Sequence, residues 1–197
     1  NQKVTLFHTA KGERLSERKG YGNMALSVIG EGDIKYSAGV GKEVNAQSVF
    51  QSVQDNHSSR RSQGFDESLV GAVAEQFSLE PGESKSVTFL LSWYFPYYNE
   101  QNPEGGQMQD IKEFPVLHRH YKNIFDSAEN VAAYVTDQLD RLVNTTLLWN
   151  KTWYDSTFPW WFLDRTFISM DCLASQTCHL FDNGRFWSWE GVDCCEG

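Results

Sequence analysis

The sequence is short of the features that would settle its class at once. No apolar run approaches the roughly 20 residues that cross a bilayer, so no membrane-spanning helix is expected. Cations are scarce. The 17 Lys and Arg stand against 26 Asp and Glu, for a net charge of −9. The pairs Arg18-Lys19 and Arg60-Arg61 are too small a basic surface to neutralise a phosphate backbone, which argues against nucleic acid as a partner. Cysteine is scarce too, with only 4 in 197 residues: Cys172, Cys178, Cys194 and Cys195. They crowd into one end, and vicinal cysteines bridge each other only under strain, so a disulfide framework is not expected. Even with His179 beside Cys178 they lack the paired C-x2-C knuckles of structural zinc, so buried free thiols are expected, with no metal and no cofactor. There is no G-x-x-x-x-G-K and no strand-borne G-x-G-x-x-G, which removes the usual phosphate cradles. The five His (His8, His57, His118, His120, His179) form no readable triad with a Ser or Cys nucleophile. His118 and His120, flanking Arg119 where the helical part begins, read instead as interdomain hydrogen-bonding residues. The sequence starts at Asn1 without a basic-then-apolar leader, so any targeting segment is expected upstream. Unpaired thiols favour a reducing, cytoplasmic setting, while three N-x-S/T sequons (Asn56, Asn144, Asn150) match a pattern that is common by chance.

What is present is enough to fold. Hydrophobic residues make up 40% and charged ones 22%, the balance of a chain that buries a core. Their distribution is uneven. Of the seven Trp, all but Trp93 (Trp149, Trp153, Trp160, Trp161, Trp187, Trp189) lie near the end with the cysteines and most of the acidic excess. Two regions follow.

The first reads as antiparallel β-structure. Up to about Pro96, short alternating apolar runs are separated by Gly, Asn, Asp and Pro. In the clearest run Val87, Phe89, Leu91, Trp93 and Phe95 share one face of an extended chain, with Thr88, Ser92 and Tyr94 on the other. Trp93 to Tyr98 read as core and strand end in preference to an aromatic sugar platform. The turn Glu80-Pro81-Gly82-Glu83 predicts a hairpin between that strand and one over Ala74 to Leu79. Further strands are expected near Val4 to His8, Met24 to Ile29 and Ile34 to Val40, with Gly30, Gly32, Gly39 and Gly41 in turns. Together they amount to part of a β-sandwich. Residues 99 to 113 are polar and aperiodic, a connecting loop.

The second region reads as helical. Ala128, Val131, Val135, Leu139, Leu142, Thr146, Trp149 and Trp153 recur at steps of three and four, which predicts one long helix with Asp126 as its N-cap and Glu129 three residues on. A second helix is expected to begin near Pro159 and to carry Trp160, Leu163, Phe167, Met170 and Ala174 on one face. The link over Lys151 to Phe158 is short enough to fold the two into an α-hairpin. Asp182-Asn183-Gly184 is a turn signal, followed by Phe186-Trp187-Ser188-Trp189, which delivers Glu190 and Gly191.

Carboxylates among aromatics are the chemistry left standing. Asp155, Asp164, Asp171, Asp182, Glu190 and Asp193 lie in the Trp-rich stretch. Sugar-cleaving sites place an acid among rings that stack on sugar C–H surfaces. Taken singly, each carboxylate reads as a helix cap or an ion-pair partner in preference to a catalytic group. Glu190 stands out because an aromatic run sets it beside Gly191, where backbone can approach a ligand.

Several segments carry a resemblance. Trp153 to Trp161 (WYDSTFPWW), Leu163 to Phe167 (LDRTF) and Gly184 to Gly191 (GRFWSWEG) resemble glycoside hydrolase family 116, the non-lysosomal glucosylceramidase and β-glucosidase group. Leu79 to Glu83 (LEPGE), the strand from Phe89 to Pro96 and Arg119-His120-Tyr121 are similar to the end of that family's N-terminal β-sandwich and its junction with the catalytic domain. The resemblance implies an α+β multidomain architecture, with residues 1–115 the C-terminal part of the sandwich and 116–197 the first helices of an (α/α)6 toroid. It implies a retaining β-glycosidase acting on a carbohydrate substrate, with Glu190 the nucleophile and the acid/base an Asp beyond residue 197. Trp187, Trp189 and Asp155 are the residues expected to contact sugar. These 197 residues are then expected to be a slice of a larger enzyme, inactive and prone to self-association when expressed alone. Asp193-Cys194-Cys195 departs from the better-known glucosylceramidases and leaves the β-glycoside undefined. The reading from another class is a non-catalytic carbohydrate-binding or scaffolding module.

Overall fold

A computed structural model describes residues 2–12, 21–40, 44–56, 61–64, 69–98, 117–167, 170, 173 and 178–188. The chain divides into two compact units, one of Asn1–Ala10, Asn23–Tyr94 and Ser127–Thr136, the other of Lys11–Gly22, Phe95–Asp126 and Asp137–Gly197. Antiparallel sheets and helices make it a mixed α+β protein.

In the first unit β1 (Gln2–Thr9), β2 (Asn23–Gly30) and β5 (Thr88–Tyr94) form an antiparallel sheet in the order β1-β2-β5. β3 (Asp33–Ser37) and β4 (Ala72–Gln76) pair in a second sheet, beside which lies α1 (Ala46–Gln54). The strands expected near residues 4, 24, 34 and 88 are all present. The hairpin is not. Pro81 and Gly82 do make the predicted turn, with Gly82 at φ 89° and Glu83 N–H donating to the Glu80 carbonyl at 3.0 Å, the form in which only glycine is unstrained at the third position. But β4 pairs with β3 and β5 with β2, so the chain passes from one sheet to the other across this turn. The tight turn is compatible with either outcome, because Ser84 to Val87 give the chain length to change sheets before β5 begins.

Register decides the faces of the larger sheet. Phe7, Ala25 and Ser92 lie opposite one another, as do Leu6, Leu26 and Leu91. The face bearing Ala25, Ser27, Ser92 and Tyr94 is buried. α2 (Ala128–Asp137) is tied to it: Ala128 N–H donates to Asn23 Oδ1 at 2.7 Å, and Lys3 Nζ reaches the Ala132 carbonyl at 3.4 Å. Small residues occur on both, Ala25 and Ser27 on the sheet and Ala128 and Ala132 on the helix, and all four are at most 1% exposed. On the opposite face Leu6 and Val28 are buried, yet Phe89, Leu91 and Trp93 are more than half exposed. Trp93 is therefore not core, contrary to expectation; Tyr94 is. Alternation reveals that β5 has two faces, and burial shows that the one bearing Ser92 and Tyr94 is inward.

α1 was not foreseen. Its N-terminus is closed by a capping box in which Asn45 Oδ1 accepts from Ser48 N–H and Ser48 Oγ from Asn45 N–H. α2 is capped one residue later than predicted, since Ser127 Oγ accepts from Asn130 N–H at 3.2 Å. Nor does one helix run to Trp153. Gln138 leaves helical geometry at φ −113° and ψ 15°, and α3 (Leu139–Tyr154) starts anew. No Gly or Pro marks that break.

In the second unit α3 and α4 (Trp160–Phe167) make the expected hairpin, with Trp153 and Phe167 ring centroids 4.2 Å apart. Pro159 accepts the first helical bonds of α4, from Phe162 and Leu163 N–H, as its place before the helix predicts. Leu163 is buried, but Trp160 is exposed, so the predicted stripe on α4 is inward at only part of its length. Its continuation at Ala174 lies outside the described residues. Two short ladders complete the unit: β6 (Tyr97–Tyr98) with β7 (Leu117–His118), and β8 (Cys178–Leu180) with β9 (Phe186–Ser188).

Candidate functional site

The β8–β9 hairpin immediately precedes residues 189–191 in the sequence. Its turn is Asp182-Asn183-Gly184, where Gly184 adopts φ 81°, Gly184 N–H donates to the Phe181 carbonyl and Arg185 N–H to Asn183 Oδ1. Cross-strand pairing puts His179 opposite Trp187 and Leu180 opposite Phe186. The face bearing His179 and Trp187 is lined with rings. Phe181, fully buried, meets Trp187 edge-on at 5.1 Å and Tyr98 at 5.7 Å, and Tyr98 lies 4.6 Å from His179. Edge-to-face contacts of this kind add to the area they bury.

A polar frame stands beside the rings. Arg119 donates from Nη1 to the Phe95 and Tyr97 carbonyls and stacks over Tyr98 at 5.4 Å, while its backbone N–H bonds the Pro96 carbonyl at 2.8 Å. Tyr121 Oη accepts from Phe95 N–H and donates to the Phe95 carbonyl. A backbone bridge joins Arg119 to Phe181. Asp182 N–H donates to the His118 carbonyl at 2.9 Å, and Asp182 Oδ2 is 3.0 Å from His118 Nδ1. Lys122 Nζ is 3.2 Å from that same nitrogen and 5.7 Å from the Tyr97 ring. Arg119-His120-Tyr121, noticed as a sequence motif, thus binds residues 95–98. His118 bonds within this unit to a residue sixty-four positions away, and buried His120 Nδ1 has no hydrogen-bond partner among the described residues.

The predicted site residues are not gathered in one described cavity. Glu190 and Trp189 lie outside the described residues, as do Cys172, Cys194 and Cys195. Trp187 is on β9, partly exposed. Asp155 is elsewhere, ending α3 with its N–H on the Lys151 carbonyl at 2.8 Å and its carboxylate 3.7 Å from Lys151 Nζ. Cys178 lies on β8, half-buried. Among the described residues no group of His, Cys, Asp and Glu is placed to hold a metal ion. A cavity of about 690 Å³ does exist in the first unit, between α1 and β4, walled by Val49, Phe50, Val53, Ala72, Ala74 and Phe77. It contains none of the predicted site residues and is mostly apolar. The contacts that sequence reading missed are Tyr98, His179 and Phe181 around Trp187, and the His118–Asp182 pair. Their long separations leave no spacing signal, though Asp182-Asn183-Gly184 had marked the turn.

The family model described as beta-glucosidase 2, glycosyl-hydrolase family 116 N-term, matches residues 2–142, and the chain belongs to this glycoside hydrolase family. No curated protein and no solved structure matches it. Among the described residues no helix is long and apolar enough to cross a membrane.

Proposed function

We propose that the chain is part of a retaining β-glycosidase in which Glu190 is the nucleophile. The observation that carries this reading is the family membership of residues 2–142 together with Trp187-Ser188-Trp189-Glu190-Gly191 running out of β9. In such a reaction the Glu190 carboxylate attacks the anomeric carbon as the aglycone oxygen leaves, forming a glycosyl ester. A second carboxyl, about 5–5.5 Å away, protonates the leaving group and then deprotonates the water that hydrolyses the ester. That acid/base is an Asp beyond residue 197. Trp187 and Trp189 offer ring faces to sugar C–H surfaces, and Asp155 offers a hydrogen-bond acceptor. Residues 1–115 close the sandwich and 116–197 open an (α/α)6 catalytic domain.

The test uses the full-length protein and an electrophilic 2-deoxy-2-fluoro-β-glucoside. A covalent adduct mapped by peptide mass to Glu190, abolished by Glu190→Gln, is expected. Sugar binding without an adduct, unchanged by Glu190→Gln, would favour a non-catalytic binding module instead. Expressed as residues 1–197 only, the protein is expected to leave an aryl β-glucoside uncleaved, because the acid/base is then missing.

A further inference from the structure

We propose that the groove between α1 and β4 is a docking site for an extended polypeptide segment of a partner protein, taken up as a further strand on β4. The direction of the β4 backbone carries this. Tyr36 N–H donates to Asn56 Oδ1 at 3.1 Å, so it points away from β4. Pairs across an antiparallel ladder alternate between residues that exchange backbone hydrogen bonds and residues that turn those groups outward. Tyr36 pairs with Val73 and Ile34 with Glu75, so both are outward pairs, and Lys35 with Ala74 is a bonded one. Val73 and Glu75 therefore present N–H and C=O groups at the edge of β4 remote from β3. Among the described residues no strand pairs with that edge.

The cavity of about 690 Å³ runs along this edge. Ala72, Ala74 and Gln76 share a face with Lys35, while the side chains of Val73 and Glu75 point to the other face, where Glu75 is held by Lys85 and by the Gly32 and Glu31 amides. Yet residues 72–77 all line the cavity, so Val73 and Glu75 reach it through their backbone. Opposite them α1, packed on β3 and β4, supplies Val49, Phe50 and Val53 as an apolar wall, and the small Ala72 and Ala74 leave the space between unfilled. A strand edge bordered by such a wall suits strand addition, in which main-chain bonds give affinity and the pocket receives alternate side chains. A purely apolar molecule would leave the Val73 and Glu75 backbone groups unmatched. A second copy fits badly, because a two-fold contact sets the same concave surface on both sides and grooves do not fill each other. Nor does charge guard the edge. Glu75 is the sole charged side chain of β4 and already has Lys85. The segment that fits is extended and carries apolar side chains at every second position.

The experiment titrates the full-length protein into fluorescein-labelled, N-acetylated peptides in which Val, Leu or Phe alternates with Thr, and reads anisotropy. At least one peptide is expected to bind with a Kd below about 100 μM. N-methylation of one alternate set of its amides should weaken binding about tenfold or more, while the other set, turned to solvent, tolerates it. Val73→Pro removes an edge donor and no bond to β3, a position at which strands accept proline, so it should weaken binding about tenfold at a nearly unchanged melting temperature. Phe50→Ser, at a ring 65% exposed, should weaken it similarly by removing part of the wall, and it decides the matter should Val73→Pro fail to fold. No binding by any peptide at about 1 mM overturns the proposal. Equal binding by both N-methylated sets also overturns it and makes the groove a site for apolar molecules. If sedimentation shows the full-length protein to be a dimer that Phe50→Ser dissociates, the occupant is a second copy and the partner segment is excluded.

Discussion

The two units bury different kinds of residue. The sheet unit makes its interior from small and aliphatic side chains, with Ala25, Ser27, Val28, Ala128 and Ala132 almost wholly covered, and leaves Phe89, Leu91 and Trp93 outside. The other unit holds most of the large rings, yet among its described residues only Pro96, Leu163, His179 and Phe181 are buried. In the first, small side chains on sheet and helix are the most fully covered, and hydrogen bonds such as that of Asn23 link the two. In the second, one ring at the centre of an aromatic cluster and a frame of Arg119, Tyr121, His118 and Asp182 hold short ladders that have little area of their own. Residue size does not predict burial here; the shape of the partner does.

The sharpest way to break that contrast is Phe181→Ala. If a single ring organises the hairpin, its removal costs about 3–5 kcal/mol and destroys the near-ultraviolet aromatic signal. Val28→Ala in the sheet, where many small contacts share the load, is expected to cost about 2–3 kcal/mol. Equal losses in denaturant titrations would mean that the hairpin has no central residue.

A smaller effect is expected where the sheet unit does bury a charge. The Glu75 side chain is completely enclosed; its Oε1 accepts from Lys85 Nζ at 2.6 Å, from Gly32 N–H at 2.6 Å and from Glu31 N–H at 3.2 Å. Lys85 foremost, opposed by burial and assisted by the Gly32 and Glu31 amides, holds the carboxyl below its ordinary 4.5. A depressed value means that the stabilisation is complete above about pH 4.5 and is lost as pH falls through the lower, folded-state value. Glu75→Gln should therefore melt several degrees lower at pH 7 and show a shallower acid limb; an acid limb identical to wild type would remove Glu75 from the account. Gly30→Ala tests the same site sterically, because its Cβ would fall against the Glu75 carboxylate. In the other unit Tyr121→Phe deprives the Phe95 N–H of its acceptor and leaves the Phe95 carbonyl to Arg119 alone, with an expected loss of about 1–2 kcal/mol by denaturant titration.

The same contrast explains what could be read beforehand. Strand positions were legible, because alternation over β1, β2 and β5 is a property of the local chain. Pairing was not: Pro81-Gly82 specifies a turn but says nothing of whether β5 will lie beside β4 or β2. Nor was facing, since Phe89, Leu91 and Trp93 form the more apolar set and are nonetheless the exposed one. α1 escaped because Asn45 and Ser48 signal its start while few apolar residues follow. The Asp126 cap missed by one residue, Ser127 being equally competent chemically. For the site, the GRFWSWEG segment and Asp182-Asn183-Gly184 marked the hairpin, whereas Tyr98, His118 and His179 reach it only through the fold.

The smallest effect on stability should come from the exposed rings, and it is the one that separates burial within the chain from burial by something else. Trp93, Trp160 and Trp161 are each between 59% and 71% exposed, so replacing them with Thr, Gln or Ser removes little intramolecular contact and should change stability by no more than about 0.5 kcal/mol. Their effect on association should be far larger. Leu147, Leu148, Trp160 and Trp161 leave exposed apolar surface on the helical hairpin, and contiguous surface of that sort draws proteins together. Sedimentation of residues 1–197 should therefore show a concentration-dependent mass that falls toward the monomer when Trp160 and Trp161 are both replaced, and falls less with Trp93→Thr, whose neighbours form a narrower stripe. If the Trp93 change has the greater effect, the sheet rather than the helical hairpin is the surface awaiting a cover. If either change costs several kcal/mol, these rings are buried in solution and the contrast between the two units dissolves.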